Sequence, residues 1–212
     1  MSDRPRLRGL LHQYAFFASL PALGLLLVAS PSGRAAFAAT VYGLSLVALF
    51  GVSALFHRVT WSPRARRWMG RLDHAMINVL IAGTFTPFGL LVLSGTLGAV
   101  FLAIVWGGAL GSTLLHVFWL DAPKWLSALV YVVLGWSGIA ALPELVSHVG
   151  WGASALFALG GALYSAGAAV YALRRPDPAP AVFGYHEVFH ALVIAAAVTH
   201  YAAIALYVLP RA

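Results

Sequence analysis

The sequence predicts an all-α fold, a polytopic membrane protein of seven transmembrane helices with its N-terminus cytoplasmic and its C-terminus outside. Three observations carry that expectation: a composition suited to lipid, seven apolar runs of spanning length, and basic residues gathered on one side of those runs. Residues 1–212 read as a single transmembrane domain.

Hydrophobic residues make up 61% of the chain and charged residues 9%, with a mean hydropathy of +0.88. Soluble domains carry about 25% charged residues, so water is not the main solvent. A spanning helix needs about 20 mostly apolar residues, which leaves room for roughly six to eight spans and little else.

Charged or Pro/Gly-rich breaks divide the apolar runs into helices at 14–30, 36–57, 74–94, 97–119, 124–142, 151–173 and 185–209. The first follows Arg4, Arg6 and Arg8 and stops at Pro31; the second ends before Arg58 and Pro63. Arginines 64 to 71 precede the third, and Ser94-Gly95 separates it from the fourth. Asp121 and Pro123 break the chain before the fifth, and Pro143 follows that helix. The sixth runs up to Arg174-Arg175, after which Pro176 to Pro180 reads as a stiff cytoplasmic turn before the seventh. Gly107-Gly108 with Gly111, and Gly160-Gly161 with Gly167, permit close helix approach in lipid.

The N-terminal arginines followed by Tyr14 to Ala29 also resemble a signal peptide, with Ala36-Phe37-Ala38 imitating a cleavage site. The apolar run is long for that reading, and the first helix is taken as a span.

Given this order of spans, the cytoplasmic segments hold Arg4, Arg6, Arg8, Arg58, Arg64, Arg66, Arg67, Arg71, Lys124, Arg174 and Arg175. That is eleven of the thirteen basic residues; Arg34 and Arg211 fall outside. The asymmetry follows the positive-inside rule and supports both the helix count and the orientation. It also explains the net charge of +7 without nucleic acid, because the arginines lie between apolar runs and form no binding motif. The expected compartment is a membrane with these arginines on its cytoplasmic face. Trp61, Trp68, Trp119, Trp125 and Trp151 near helix ends suit the headgroup region.

Ionisable residues within spans are costly and therefore functional candidates. Ser53 and His57 are four residues apart near the end of helix 2, and His186 and His190 repeat the spacing at the start of helix 7, so each pair shares a helix face. Asp73 and His74 open helix 3. The derived topology brings these three helix ends to one leaflet. Since the chain has no cysteine, any metal must be held by His, Asp or Glu. Three neutral imidazoles from His57, His186 and His190 hold zinc at about 2.0–2.1 Å and leave a fourth position for water, as in catalytic sites. Asp73 would bind or orient that water. His186-Glu187-Val188-Phe189-His190 also fits the H-E-x-x-H pattern, in which the glutamate is a general base. The alternative is that these histidines hydrogen-bond one another, Asp73 or backbone carbonyls as polar glue.

Ser53-Ala-Leu-Phe-His57, Leu72-Asp73-His74, Ile81-Ala-Gly-Thr-Phe-Thr-Pro87 and Gly184-Tyr-His186-Glu-Val-Phe-His190, ending at His200, together resemble the bacterial hemolysin III family. That family is grouped with the adiponectin and progestin receptors and, more distantly, with alkaline ceramidases. The resemblance implies seven spans, zinc on His57, His186 and His190, Ser53 and Asp73 beside the metal-bound water, and a cytosolic N-terminus. Glu187 departs from the receptor branch, so the resemblance does not make it the base. His74 points about 100° away from Asp73 on a helix and suits a supporting contact. His200, about 15 Å farther along the axis than His190, is not expected to ligate the same ion. His12, His116 and His148 have interfacial readings. Pro87 is expected to kink helix 3 or to serve packing.

Four functions compete. The leading one is zinc-dependent hydrolysis of a lipid ester or amide, with Asp73 acting on the water and Ser53 assisting. Its rivals are a lipid-sensing or homeostatic protein with structural zinc, a pore-forming cytolysin, and an intramembrane protease. The spans show no continuous polar stripe to line a pore, and a protease would rest on His186-Glu187 and His190 alone. The expected partner is a membrane lipid, as substrate or ligand.

Overall fold

A computed structural model describes residues 5–118 and 123–212. Seven α-helices are found among them: α1 (Leu10–Val28), α2 (Gly33–Arg58), α3 (Pro63–Leu91), α4 (Gly95–Phe118), α5 (Lys124–Trp136), α6 (Leu142–Leu173) and α7 (Tyr185–Ala203). Six helical segments are long and apolar enough to cross a membrane, the last running from Tyr185 to Arg211. The seventh span is α5 with its 3-10 continuation Ser137–Ala141. Thirteen α-helical residues rise about 20 Å and five 3-10 residues about 10 Å, together matching a hydrocarbon core of about 30 Å. Predicted Trp119 and Arg4 lie outside the described residues, as do the side chains of His116 and Lys124.

Helix starts follow local chemistry. Ser32 and Ser62 cap α2 and α3, each hydroxyl accepting from the backbone N–H three residues on, and Pro63 takes the first turn, where no donor is missed. This cap corrects the expectation that Asp73 and His74 open helix 3. The helix begins ten residues before Asp73, about 15 Å along its axis. Arg64, Arg66, Arg67 and Arg71 belong to its first turns, because helix continues where lipid does not reach and hydropathy reports only the lipid-soluble part. A second departure is the start of α6. Gly150, at φ 84°, breaks it into Leu142–Val149 and the predicted span from Trp151, a conformation that glycine adopts without a Cβ clash.

The larger apolar core joins α1, α2, α3, α6 and α7 through residues such as Leu26, Tyr42, Phe50, Leu80, Val149 and Val193. A smaller one ties α4 and α5 to α3 around Phe85, Phe101, Val105 and Leu134. Polar side chains bridge helices within the bundle. Tyr201 donates to the Ala22 carbonyl of α1 at 2.9 Å, Trp106 of α4 to Thr86 of α3 at 3.2 Å, and Trp136 of α5 to Ser165 of α6 at 2.9 Å. Gly160 fits against Thr199 and His200, as expected of a small interface residue, whereas Gly107 and Gly111 meet no neighbour. Exposed Phe17, Leu44, Ile104, Leu110, Val133 and Val198 form the outward apolar surface a bilayer requires.

α1 is an integral member of this bundle. Residues just before it lie along the α6–α7 connection, with Arg6 and Leu7 N–H donating to Ala181 and Val182 carbonyls. Gly9, at φ 78°, then turns the chain into α1. A Cβ there would stand 2.5 Å from His57 Cβ, so only glycine lets the N-terminal segment lie against α2.

Candidate metal centre

Helical periodicity assembles the centre from three elements. His57 comes from the last turn of α2, and His186 and His190 from the first two turns of α7, where their spacing of four stacks them on one face. Each offers one ligand atom, and these three atoms all lie within 4.8 Å of one another. The Nε2 atoms of His57 and His186 are 3.2 Å apart. Two nitrogens on a tetrahedral zinc at 2.0–2.1 Å stand about 3.3–3.4 Å apart. The trio is therefore of a size to close on one ion, and its imidazole donors are of a kind that zinc, copper, iron and nickel all take.

Asp73, from the middle of α3, places Oδ2 3.9 Å from His57 Nε2. Ser53, one turn before His57, lies beside Asp73 and contacts His12 Nδ1 through its hydroxyl at 2.8 Å. The structure thus brings together all five residues selected from sequence. It separates the others: His74 turns to the Tyr131 hydroxyl at 3.3 Å, and His200 Nε2–H donates to the Phe157 carbonyl at 3.1 Å while its ring stacks on Phe157. His148 is exposed beside Glu144.

Glu187 is fully buried and committed elsewhere. One carboxylate oxygen accepts the Gly184 N–H at 2.9 Å, capping α7, and the other pairs with Arg8 Nε at 2.5 Å. The H-E-x-x-H pattern supplies its two histidines to the centre, but its glutamate ties the N-terminal segment to α7, which removes the base on which the protease reading rests.

Beneath the trio lies a cavity of about 280 Å³, bounded by α1, α2, α3, α5, α6 and α7. It runs from Arg8, His57 and Arg66 at the arginine-rich end to Phe157, Tyr164 and His200 deeper in the bundle. Leu49, Ile77, Leu80 and Val193 form part of its apolar wall.

A family profile described as Haemolysin-III related matches residues 2–201. The chain belongs to the haemolysin III family. Hemolysin-3 of Bacillus cereus is 37% identical over 205 residues, covering 95% of this chain and 90% of that protein. The Hemolysin-3 homolog of Bacillus subtilis is 34% identical over 186 residues, covering 86% and 84%. More distant similarity reaches the rice heptahelical transmembrane protein ADIPOR2, at 32% over 182 residues, covering 77% of this chain and 79% of that one.

One residue at the centre of this haemolysin III family member escaped the sequence reading. His12, expected at the interface, is 3% exposed; its ring lies 3.7 Å from that of His190 at 8°, a parallel stack. A single histidine in the first turn of α1 carries no spacing signal. Only the packing of α1 against α2 and α7 reveals its place.

Proposed function

We propose that this haemolysin III family member holds one zinc ion on His57, His186 and His190 and hydrolyses an ester or amide of a membrane lipid. The observation that carries the reading is the Asp73 carboxylate 3.9 Å from a candidate ligand nitrogen, in a centre that opens onto a largely apolar cavity. Zinc bound there would supply Lewis-acid polarisation of a carbonyl and acidify a water. The chain's own residues supply the rest. Leu49, Ile77, Leu80 and Val193 receive an acyl chain, orienting the scissile carbonyl toward the trio. Asp73 accepts the proton of the attacking water and passes it to the departing alcohol or amine. Ser53, beside that carboxylate, assists the water. Water is consumed, one C–O or C–N bond breaks, and a fatty acid leaves with the alcohol or amine.

The position of Asp73 yields a direct test. Asp73→Asn keeps shape and an acceptor oxygen but loses charge and basicity, so zinc stays on three imidazoles while turnover of the co-purifying lipid stops. Zinc quantification paired with mass spectrometry of the lipid reads both. Normal turnover by Asp73→Asn refutes this mechanism; loss of the zinc makes Asp73 a ligand or structural support. The competing reading, a lipid-sensing protein with structural zinc, is favoured by the direct His57–His186 contact, which ties α2 to α7. It predicts that chelation lowers thermal stability while no lipid is cleaved. In either case we place the protein in the bacterial cytoplasmic membrane, with the centre at its cytoplasmic leaflet, following the arginines.

A further inference from the structure

Metal-binding histidines usually donate their second ring nitrogen to a carboxylate or carbonyl, and that bond sets the ring's tautomer and orientation. His190 lacks one. Its Nδ1 is buried without a hydrogen-bond partner, although its ring must face His57 and His186 from a fixed angle for the trio to close.

What holds the ring is His12. The two imidazoles are parallel at 8° with centroids 3.7 Å apart. His12 is itself gripped from two sides, by Phe50 edge-on at 5.2 Å and by Ser53 Oγ at 2.8 Å from Nδ1. His12 Nε2, on the other side of the ring, is buried without a hydrogen-bond partner, so the contact with Ser53 is the polar one that fixes the ring. One side chain of α1 therefore touches a candidate ligand with its face and the hydroxyl beside Asp73 with its edge.

We propose that His12 is a positioning residue of the metal centre, fixing the ring plane of His190 and the hydroxyl of Ser53. The proposal rests on the zinc reading above. It assigns α1 a share in metal affinity that no ligand on α1 provides.

Three substitutions in the full chain separate the two contacts. His12→Phe keeps a flat ring against His190 and gives up the bond to Ser53. His12→Asn places an amide N–H near the position of Nδ1 and gives up the stack. His12→Ala loses both. Zinc affinity is measured on detergent-purified protein by competition with a chromophoric chelator, and ligand geometry from the visible absorption bands of the cobalt(II)-loaded protein. Supporting groups around metal ligands change affinity by about 10–100-fold, so His12→Ala is expected to bind zinc at least about tenfold more weakly, with altered cobalt bands. His12→Phe retains wild-type affinity and bands. Its turnover falls through kcat rather than KM, and recovers in His12→Asn.

Wild-type zinc affinity and unchanged cobalt bands in His12→Ala overturn the proposal while leaving the metal centre standing. If the wild-type chain binds neither ion, the centre itself falls and the role of His12 with it. Should His12→Ala fail to fold, the other two variants decide: the stack requires His12→Phe to bind zinc more tightly than His12→Asn, and the reverse order refutes it.

Discussion

Removing Arg8 should destabilise the protein more than neutralising the glutamate it serves. The Glu187 side chain is 1% exposed and that of Arg8 19%, so this pair is largely withdrawn from water. Breaking a buried pair from one side costs about 3–5 kcal/mol, because the remaining charge is left uncompensated. In Arg8→Ala the Glu187 carboxylate still accepts the Gly184 N–H and still sits at the N-terminus of α7. Favourable helix-terminus electrostatics offset about 1–2 kcal/mol, leaving a net loss of about 2–3 kcal/mol. At roughly 2–4 °C per kcal/mol for a chain of this size, the melting temperature should fall by about 5–10 °C. Glu187→Gln keeps an oxygen for the cap and leaves Arg8 partly solvated, so it should cost about 1 kcal/mol. The double variant Arg8→Ala/Glu187→Gln should resemble Glu187→Gln alone, since no buried carboxylate remains. Thermal unfolding in detergent is readable from the intrinsic fluorescence of the seven tryptophans. An Arg8→Ala protein that melts with wild type, or a double variant as unstable as Arg8→Ala, would refute the argument.

Other expectations follow from the same geometry. Gly9→Ala combines a left-handed conformation, costing about 1–2 kcal/mol for a residue with a Cβ, with a close approach to His57. It should lower both thermal stability and zinc affinity, and unchanged values of both would contradict the packing described. His186→Ala should lose bound zinc, whereas His74→Phe should keep it because His74 faces Tyr131; metal analysis of the two purified proteins checks the contrast. A reporter fused after Ala212 should be found outside the cytoplasm, and a cytosolic reporter would overturn the orientation drawn from the arginines.

Which parts of this architecture can be read from sequence depends on how far apart the interacting residues lie. Span existence is a property of about 20 consecutive residues, and all seven spans were legible as apolar runs. Their ends were less so. α3 starts at a Ser-Pro cap outside the apolar run, and α5 reaches spanning length only by tightening into 3-10 helix. The trio was legible because His57 pairs with Ser53, and His186 with His190, at the helical repeat, while charge asymmetry brought both ends to one leaflet. The depth of Asp73 was legible for the same reason, although its place in the middle of α3 was not.

Glu187 and His12 show where such reasoning stops. Spacing cannot distinguish a glutamate turned toward a metal from one turned back onto its own helix N-terminus, since both occupy the first turn between the same two histidines. The choice is made by Gly184, whose N–H needs an acceptor, and by Arg8, brought there by the N-terminal segment. That segment is placed by Gly9, the one residue that tolerates both the turn and the approach to His57. Once Gly9 and Arg8 have set the entry of α1, His12 falls one turn later, facing His190. The candidate metal centre is thus flanked by a short stretch of chain that adds no histidine to the trio: Arg8 pairs with the helix carrying His186 and His190, Gly9 lets the chain pass His57, and His12 stacks on His190. A change in this stretch should therefore register first in metal affinity and stability, before it alters any residue that touches a substrate.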